Sequence, residues 1–569
     1  MKWLVLVVIL VLLALPSALA VSGKIPLLTV SDADTDIGGI ASLQLDIQPG
    51  TGRIFIDSFP LSRLDTQISV RFANQIACDL SKVDCSKYDF FYTIRSDSAV
   101  VGGPSAGSAM AVLTVSLLEG VPLDTKTVMT GTINSGATIG PVGGIPGKVK
   151  AAEQAGFTHI LIPEFSEANM TNLTKDGISI TKVSTLEDAL KIFTGMDFGV
   201  TNGTLSVPIE YAETMRVVAL KLCNRSAYLQ SIITTENETL QNRSASDLNR
   251  SIAAFERGDN YAAASSCFSA NLALRTWELQ GDTQQQLNRK MVLVSEAIRD
   301  IEAKTSTVKI STLSDFETYA IVQDRVLESR QVLAKINASN VSVPDLAYVF
   351  ERYQSGVAWS SFFGLPGKSF SLDPVHTRSA CLKRLEEAEE RYNYLDLYAQ
   401  GTLSNYRTTL DRAYTDFRNK EFALCVFEAS KAKAEINTVL SGLFVNASDI
   451  NALVSVKINQ AEKVLLKEQE KGLFSIMGYS YYEYARFLNQ TDPASALTFA
   501  EYAIELSNLD TYFTREDGVQ LKEMQDSKGL SLFFAGFFVG VLILMPFIIR
   551  RDSEQKQKKK PAKKTSSRR

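Results

Sequence analysis

Residues 101–152 read VGGPSAGSAMAVLTVSLLEGVPLDTKTVMTGTINSGATIGPVGGIPGKVKAA. Gly102-Gly103-Pro104 is a turn signal that leads out of a strand and into an apolar helix over 105–118. Ser105 therefore stands at a helix N-terminus, where unpaired backbone N–H groups and the dipole favour a developing negative charge. The neighbouring glycines allow a tight turn and close approach of a substrate backbone. Met129-Thr130-Gly131 comes next, and Gly143-Gly144-Ile145-Pro146-Gly147-Lys148 opens a second helix. Ser105 and Lys148 are 43 residues apart. A lysine in the first turn of a helix is unfavourably placed for a cation, which argues against a merely solvated side chain.

Around this stretch, residues 22–197 alternate between strand and helix patterns. Strand-like runs fall at 25–31, 42–47, 53–56, 90–94 and 159–162, and helical ones at 66–77, 105–118, 147–155 and 186–193. That pattern predicts an α/β or α+β domain with a core of its own. A thin connection over 196–208, with Gly199, Asn202 and Gly203, marks its end. From 209 to 528 the texture is long helical periodicity. The stretches 247–275, 409–436 and 484–508 each read as helix, polar turn, Ala- and aromatic-rich helix. They resemble degenerate tetratricopeptide-type hairpins, in which small residues let paired helices approach closely. Residues 341–374, with Trp359, Phe362 and Phe363, interrupt the pattern and suggest a docking loop. The Gly364-Leu365-Pro366-Gly367-Lys368-Ser369 run ends like a phosphate-binding loop. It lacks the leading glycine, however, because that position is Phe362.

On these motifs the segment resembles the proteolytic domain of Lon proteases, the Ser-Lys dyad family. There a Gly-Pro-Ser-Ala-Gly motif carries the nucleophile and a Met-Thr-Gly strand follows. A Gly-Gly-hydrophobic-x-x-Lys motif then supplies the base 43 residues on. Residues 48–53 (QPGTGR) resemble the family's early Pro-Gly-x-Gly hairpin, and 151–163 (AAEQAGFTHILIP) its helix and strand after the lysine. The resemblance covers roughly residues 25–195. It implies an α+β proteolytic fold with Ser105 as nucleophile, Lys148 as general base and Thr130 orienting the amine. The oxyanion would be held by backbone N–H groups at the head of the helix, with Gly103 and Ala106 in support. Such chemistry needs a neutral amine, hence a lysine pKa lowered from about 10.4 toward roughly 7–8. No cofactor and no metal are expected. Many members carry an acid two residues before the proline, where this chain has Gly102, which implies an altered loop geometry. The motor ATPase of the family has no counterpart motif here, so the expected substrate is unfolded or extended polypeptide.

Composition sets outer limits. The chain has 569 residues, 45% apolar and 21% charged, with a net charge of −4. Ten Lys/Arg against two acids fall within 550–569, so the body is strongly acidic, unlike a nucleic-acid-binding surface. Two histidines, His159 and His376, make a multi-His metal site or a Ser-His-Asp triad a poor reading, and His159 is read as a strand-edge residue.

Residues 1–20 have the layout of a secretory signal peptide. Residues 529–549 are uncharged and long enough to cross a bilayer. The basic tail 550–569 then lies in the cytoplasm and binds lipid headgroups, and the body lies outside. Glycosylation sequons at Asn169, Asn172, Asn202, Asn224, Asn237, Asn242, Asn249, Asn337, Asn340, Asn446 and Asn489 agree with export. A sequon-rich surface with such a domain suits an archaeal envelope. Six cysteines suggest three sequential disulfides, Cys78 with Cys85, Cys223 with Cys267 and Cys381 with Cys425, the last two with equal spacing; buried free thiols are the alternative. The expectation is a membrane-anchored, ATP-independent serine endopeptidase whose helical region takes a protein partner, with an oligomer compatible. The alternative is a non-enzymatic surface scaffold that keeps the fold.

Overall fold

The computed structural model describes residues 20–30, 37–59, 61–81, 83–96, 102–166, 177–199, 203–234, 236–399, 404–443 and 445–513. The expected signal segment (apart from Ala20), membrane span and basic tail, with Asn169, Asn172 and Asn202, lie outside them. Among the described residues no single helix is long and apolar enough to cross a membrane.

The N-terminal part is an α/β structure. Strands β1 (Val21–Val30) and β2 (Gly38–Pro49) pair antiparallel. Ala41, Leu43, Leu45 and Ile47 alternate inward along β2 at the strand period of two. Strand β3 (Ile54–Phe59) is an edge strand, parallel to β4 (Tyr88–Arg95), which pairs antiparallel with β2. Between β3 and β4 runs α1 (Leu64–Leu80). Next, α2 (Gly107–Glu119) is buried from Gly107 through Ser116 and ends on left-handed Gly120, so it is a central core helix. Short β5 (Thr127–Met129) leads into a hairpin of β6 (Thr132–Asn134) and β7 (Thr138–Gly140). Helix α3 (Ile145–Gln154) starts from left-handed Gly144 with Pro146 in its first turn. Strands β8 (His159–Pro163) and β9 (Ser179–Val183) join β5 in a parallel sheet. Helix α4 (Leu186–Thr194) follows, its start capped by Thr185.

The remainder is helical: α5 (Ile209–Ile232), α6 (Glu238–Arg257), α7 (Asn260–Gln280), α8 (Gln284–Thr305), α9 (Leu313–Lys335), α10 (Val343–Trp359), α11 (Pro374–Asp396), α12 (Ser404–Arg418), α13 (Phe422–Gly442), α14 (Ile450–Glu470), α15 (Ile476–Leu488) and α16 (Pro493–Ser507). The three anticipated hairpins are α6–α7, α12–α13 and α15–α16. All three sequential disulfides are present: Cys78–Cys85, Cys223–Cys267 and Cys381–Cys425. The second ties α5 to α7 and the third ties α11 to α13, so two three-helix units are stapled first helix to third.

One expectation is corrected. Residues 341–374 contain helix α10 (Val343–Trp359), and Trp359 and Phe362 are buried and stacked on each other at 5.1 Å. Their aromatics are core, not a docking loop. The phosphate-loop look-alike forms a bridge from Ser369 to Thr312 and does not open a helix.

The two parts share a core. Tyr394 and Leu395 of α11 and Ile436 and Leu440 of α13 pack into the apolar cluster formed by β1, β2, β4, α1 and α2. The Arg391 guanidinium lies over the Phe72 ring of α1 at 3.2 Å from its centroid. A buried ion pair, Lys457–Glu501 at 2.7 Å, closes on Ser135 in the β6–β7 turn. Lys457 Nζ donates to the Ser135 carbonyl at 2.9 Å, and Ser135 Oγ donates to Glu501 at 2.6 Å.

Candidate active site

The turn Gly103-Pro104-Ser105-Ala106 sits on the first turns of α2. Gly103 adopts φ +93°, a left-handed conformation that side chains rarely take, which is why glycine stands there. Ser105 and Ala106 are half-buried at the helix head. The Ser105 carbonyl is fixed from the opposite side by Gly131 N–H at 2.9 Å and by the Thr130 hydroxyl at 3.2 Å. The Ser108 hydroxyl and N–H both donate back to the Gly131 carbonyl. The Met129-Thr130-Gly131 stretch is thus stitched along the start of α2. Among the described residues the N–H groups of Ser105 and Ala106 have no acceptor, whereas Gly107 N–H is used on the Pro104 carbonyl. Two free donors at a helix head are what an oxyanion needs.

Lys148 lies in α3, only 2% exposed. Its position depends on close packing of α3 on β2. A Cβ on Gly38 would fall 2.0 Å from the Gly147 carbonyl oxygen, so only glycine lets the backbones approach this closely. The Lys148 amine donates to Thr130 Oγ1 at 3.1 Å. Thr130 is fully buried. Burial lowers the Lys148 pKa to about 8, because the ammonium form has lost its water. No hydrogen bond joins Ser105 Oγ to the amine among the described residues; Thr130 stands between the two residues.

The structure therefore brings Ser105, Thr130 and Lys148 together with Gly103 and Ala106. His159 is exposed at the start of β8, and His376 pairs with Asp373 at the head of α11. Among the described residues no group of three or more His, Cys, Asp or Glu side chains could hold a metal ion. Of the described sequon asparagines, Asn224, Asn242, Asn249, Asn337, Asn340 and Asn446 are exposed, while Asn237 and Asn489 are half-buried.

Sequence reasoning missed Asp65. Its Oδ1 accepts the Gly103 N–H at 3.1 Å, and its neighbour Thr66 donates to the Gly103 carbonyl at 3.3 Å. A carboxylate thus reaches the loop from α1, while Gly102 lies against the Arg63 side chain, 2.6 Å from where a Cβ would sit. A lone Asp near a helix start carries no sequence signal beyond a first-turn acid.

Comparison with known proteins finds similarity over the same stretch of chain. Residues 76–194 match the family described as the Lon protease (S16) C-terminal proteolytic domain. The chain is 28% identical over 174 residues to the Lon protease of Clostridium beijerinckii, covering 30% of this chain and 22% of that one. It is likewise 28% identical over 175 residues to the Lon protease of Methanosarcina barkeri, with the same 30% and 22% coverage. Against the archaeal Lon protease of Methanothermobacter thermautotrophicus it is 33% identical over 110 residues, 19% of this chain and 17% of that one. The chain spans about a fifth of the length of these curated relatives.

Proposed function

We propose that the protein is a membrane-anchored serine endopeptidase that cleaves unfolded or extended polypeptides outside the cytoplasm without ATP. The observation that carries this reading is the buried Lys148 amine, hydrogen-bonded to Thr130, whose hydroxyl in turn donates to the Ser105 carbonyl. In the proposed cycle Lys148 enters neutral, takes the Ser105 hydroxyl proton as Oγ attacks the scissile carbonyl, and returns it to the leaving amine. The Ser105 and Ala106 N–H groups receive the oxyanion. Water then hydrolyses the acyl-enzyme by the same route.

Exposed Phe59, Leu61 and Leu64 lie on the chain leading into α1, beside the residues that hold the Gly103 loop. Apolar surface there suits segments that folded substrates keep buried. The sequence from 529 to 549 supports the anchor, and the sequons and disulfides support an oxidising, extracytoplasmic setting. The helical hairpins, of tetratricopeptide-like texture, are the surface proposed for a protein partner.

The test is cleavage of casein by the full-length chain, without nucleotide, beside Ser105→Ala. Cleavage by the native protein alone supports the reading. Silence from both, with the fold intact, replaces it with a non-enzymatic scaffold.

A further inference from the structure

We infer that Tyr398, in the helical region, is a positioning residue for the nucleophile loop and acts through Asp65. This inference rests on the Ser-Lys peptidase reading above. The Tyr398 hydroxyl donates to Asp65 Oδ2 at 3.1 Å, while Asp65 Oδ1 accepts from Gly103 N–H at 3.1 Å. One carboxylate therefore joins residue 398 to the backbone two residues before Ser105.

The first turns of α1 are shaped for this task. Thr66 Oγ1 donates to the Gly103 carbonyl and Ser69 Oγ donates to the Pro104 carbonyl at 3.4 Å, so one helix face grips three consecutive loop groups. Gly107 packs against the same Ser69, where a Cβ would fall 2.6 Å from its Oγ. That grip decides where the Ser105 and Ala106 N–H groups point, and hence whether an oxyanion site exists at all. Gly103 has a left-handed backbone with nothing within 4 Å of a would-be Cβ, and its own N–H and C=O are taken by Asp65 and Thr66.

Helix α1 is itself held by the helical region. Arg391 and Tyr394 of α11 cover Phe72, and Arg71 faces Glu390 at 3.7 Å. Tyr398 follows directly after α11 and stacks edge-on to Tyr394 at 5.4 Å. A side chain in the helical region thereby completes the scaffold of the peptidase loop. The helices are part of the active-site architecture and not only an appended recruiting surface.

The test uses the full-length chain with Tyr398→Phe, Asp65→Asn, Asp65→Ala and Ser105→Ala. Hydrogen–deuterium exchange is followed over the loop, and kcat and KM on an unfolded fluorogenic protein. The Phe variant removes one hydroxyl. It is expected to speed exchange in peptides covering Gly103 and Ser105 while β1 and β2 stay unchanged. It should also lower kcat about tenfold with KM within about twofold, since misplaced catalytic groups cost rate before binding. Asn at position 65 still offers an acceptor to Gly103, so Asp65→Asn should keep most protection and most of kcat, whereas Asp65→Ala loses both. Unchanged exchange and unchanged kcat in Tyr398→Phe would overturn the inference. So would faster exchange spread evenly over the whole chain, which marks a general loss of stability. Should the native chain fail to cleave, like Ser105→Ala, the peptidase reading falls while the exchange data still decide whether Tyr398 holds the loop.

Discussion

Lys148 reaches Thr130, and Thr130 reaches Ser105: the amine donates to the threonine hydroxyl at 3.1 Å, and that hydroxyl donates to the Ser105 carbonyl at 3.2 Å. The threonine holds the amine where it is almost wholly buried. It leaves a nitrogen that is costly to protonate beside the turn that carries the serine.

A pH profile follows from that burial. The Lys148 pKa is lowered to about 8, and only the free amine can accept a proton. The rate should therefore rise with pH through about 8 and level off above it. Measuring kcat/KM on an unfolded substrate from mildly acidic to mildly alkaline pH checks this. A flat profile across that range would refute Lys148 as base.

Removing the threonine hydroxyl should hurt chemistry more than folding. Thr130→Val keeps the shape but frees the amine and leaves the Ser105 carbonyl held by the Gly131 N–H. A loss of about 10–100-fold in kcat is expected. Lys148→Met, which removes the base itself, should cost about 10⁴-fold. Equal losses for the two variants would show that Thr130 does more than orient.

Gly38→Ala tests the approach of β2 to α3. The new Cβ would overlap the Gly147 carbonyl oxygen and meet Ala151 Cβ at 2.9 Å, so α3 must shift and carry Lys148 with it. Destabilisation of about 1–3 kcal/mol is expected. It should come with a fall in kcat, read by thermal melting beside kinetics. Native kcat in a folded variant would show that the site tolerates a displaced helix.

The buried pair under the β6–β7 turn gives a stability prediction. Lys457 and Glu501 are both fully buried, so Glu501→Ala strands an ammonium group away from water. A loss of about 3–5 kcal/mol is expected in denaturant unfolding, and the double variant Lys457→Met/Glu501→Leu should recover most of it. A small effect from the single change would mean that water reaches the pair.

Much of the site is legible in the sequence because it is local. The turn at Gly103, the apolar run of α2 and the Pro-marked start of α3 each follow from residues within a few positions of one another. Other parts are not legible. Strands β5, β6 and β7 have three residues each, too few to show a period of two. Lys457, Glu501, Arg384 and Glu317 sit in helices as charged residues normally found on solvated faces, yet all four are buried. Only the partner across the fold decides that. Trp359 and Phe362 fall in a stretch that interrupts the hairpin pattern and suggests a docking loop, yet prove to be core, since aromatic clusters serve either use.

The sequence by itself determined the serine at a helix head and the lysine 43 residues later, because each rests on short-range pattern or spacing, and it suggested the sequential cysteine pairs. Tertiary structure alone decided that α1 carries Asp65 to the nucleophile loop and that Tyr398, 333 residues further on, holds Asp65 there. It also decided that Lys148 is buried. Burial and long-range hydrogen bonds depend on which surfaces meet. That is set by the packing of the whole body and not by any window of the chain.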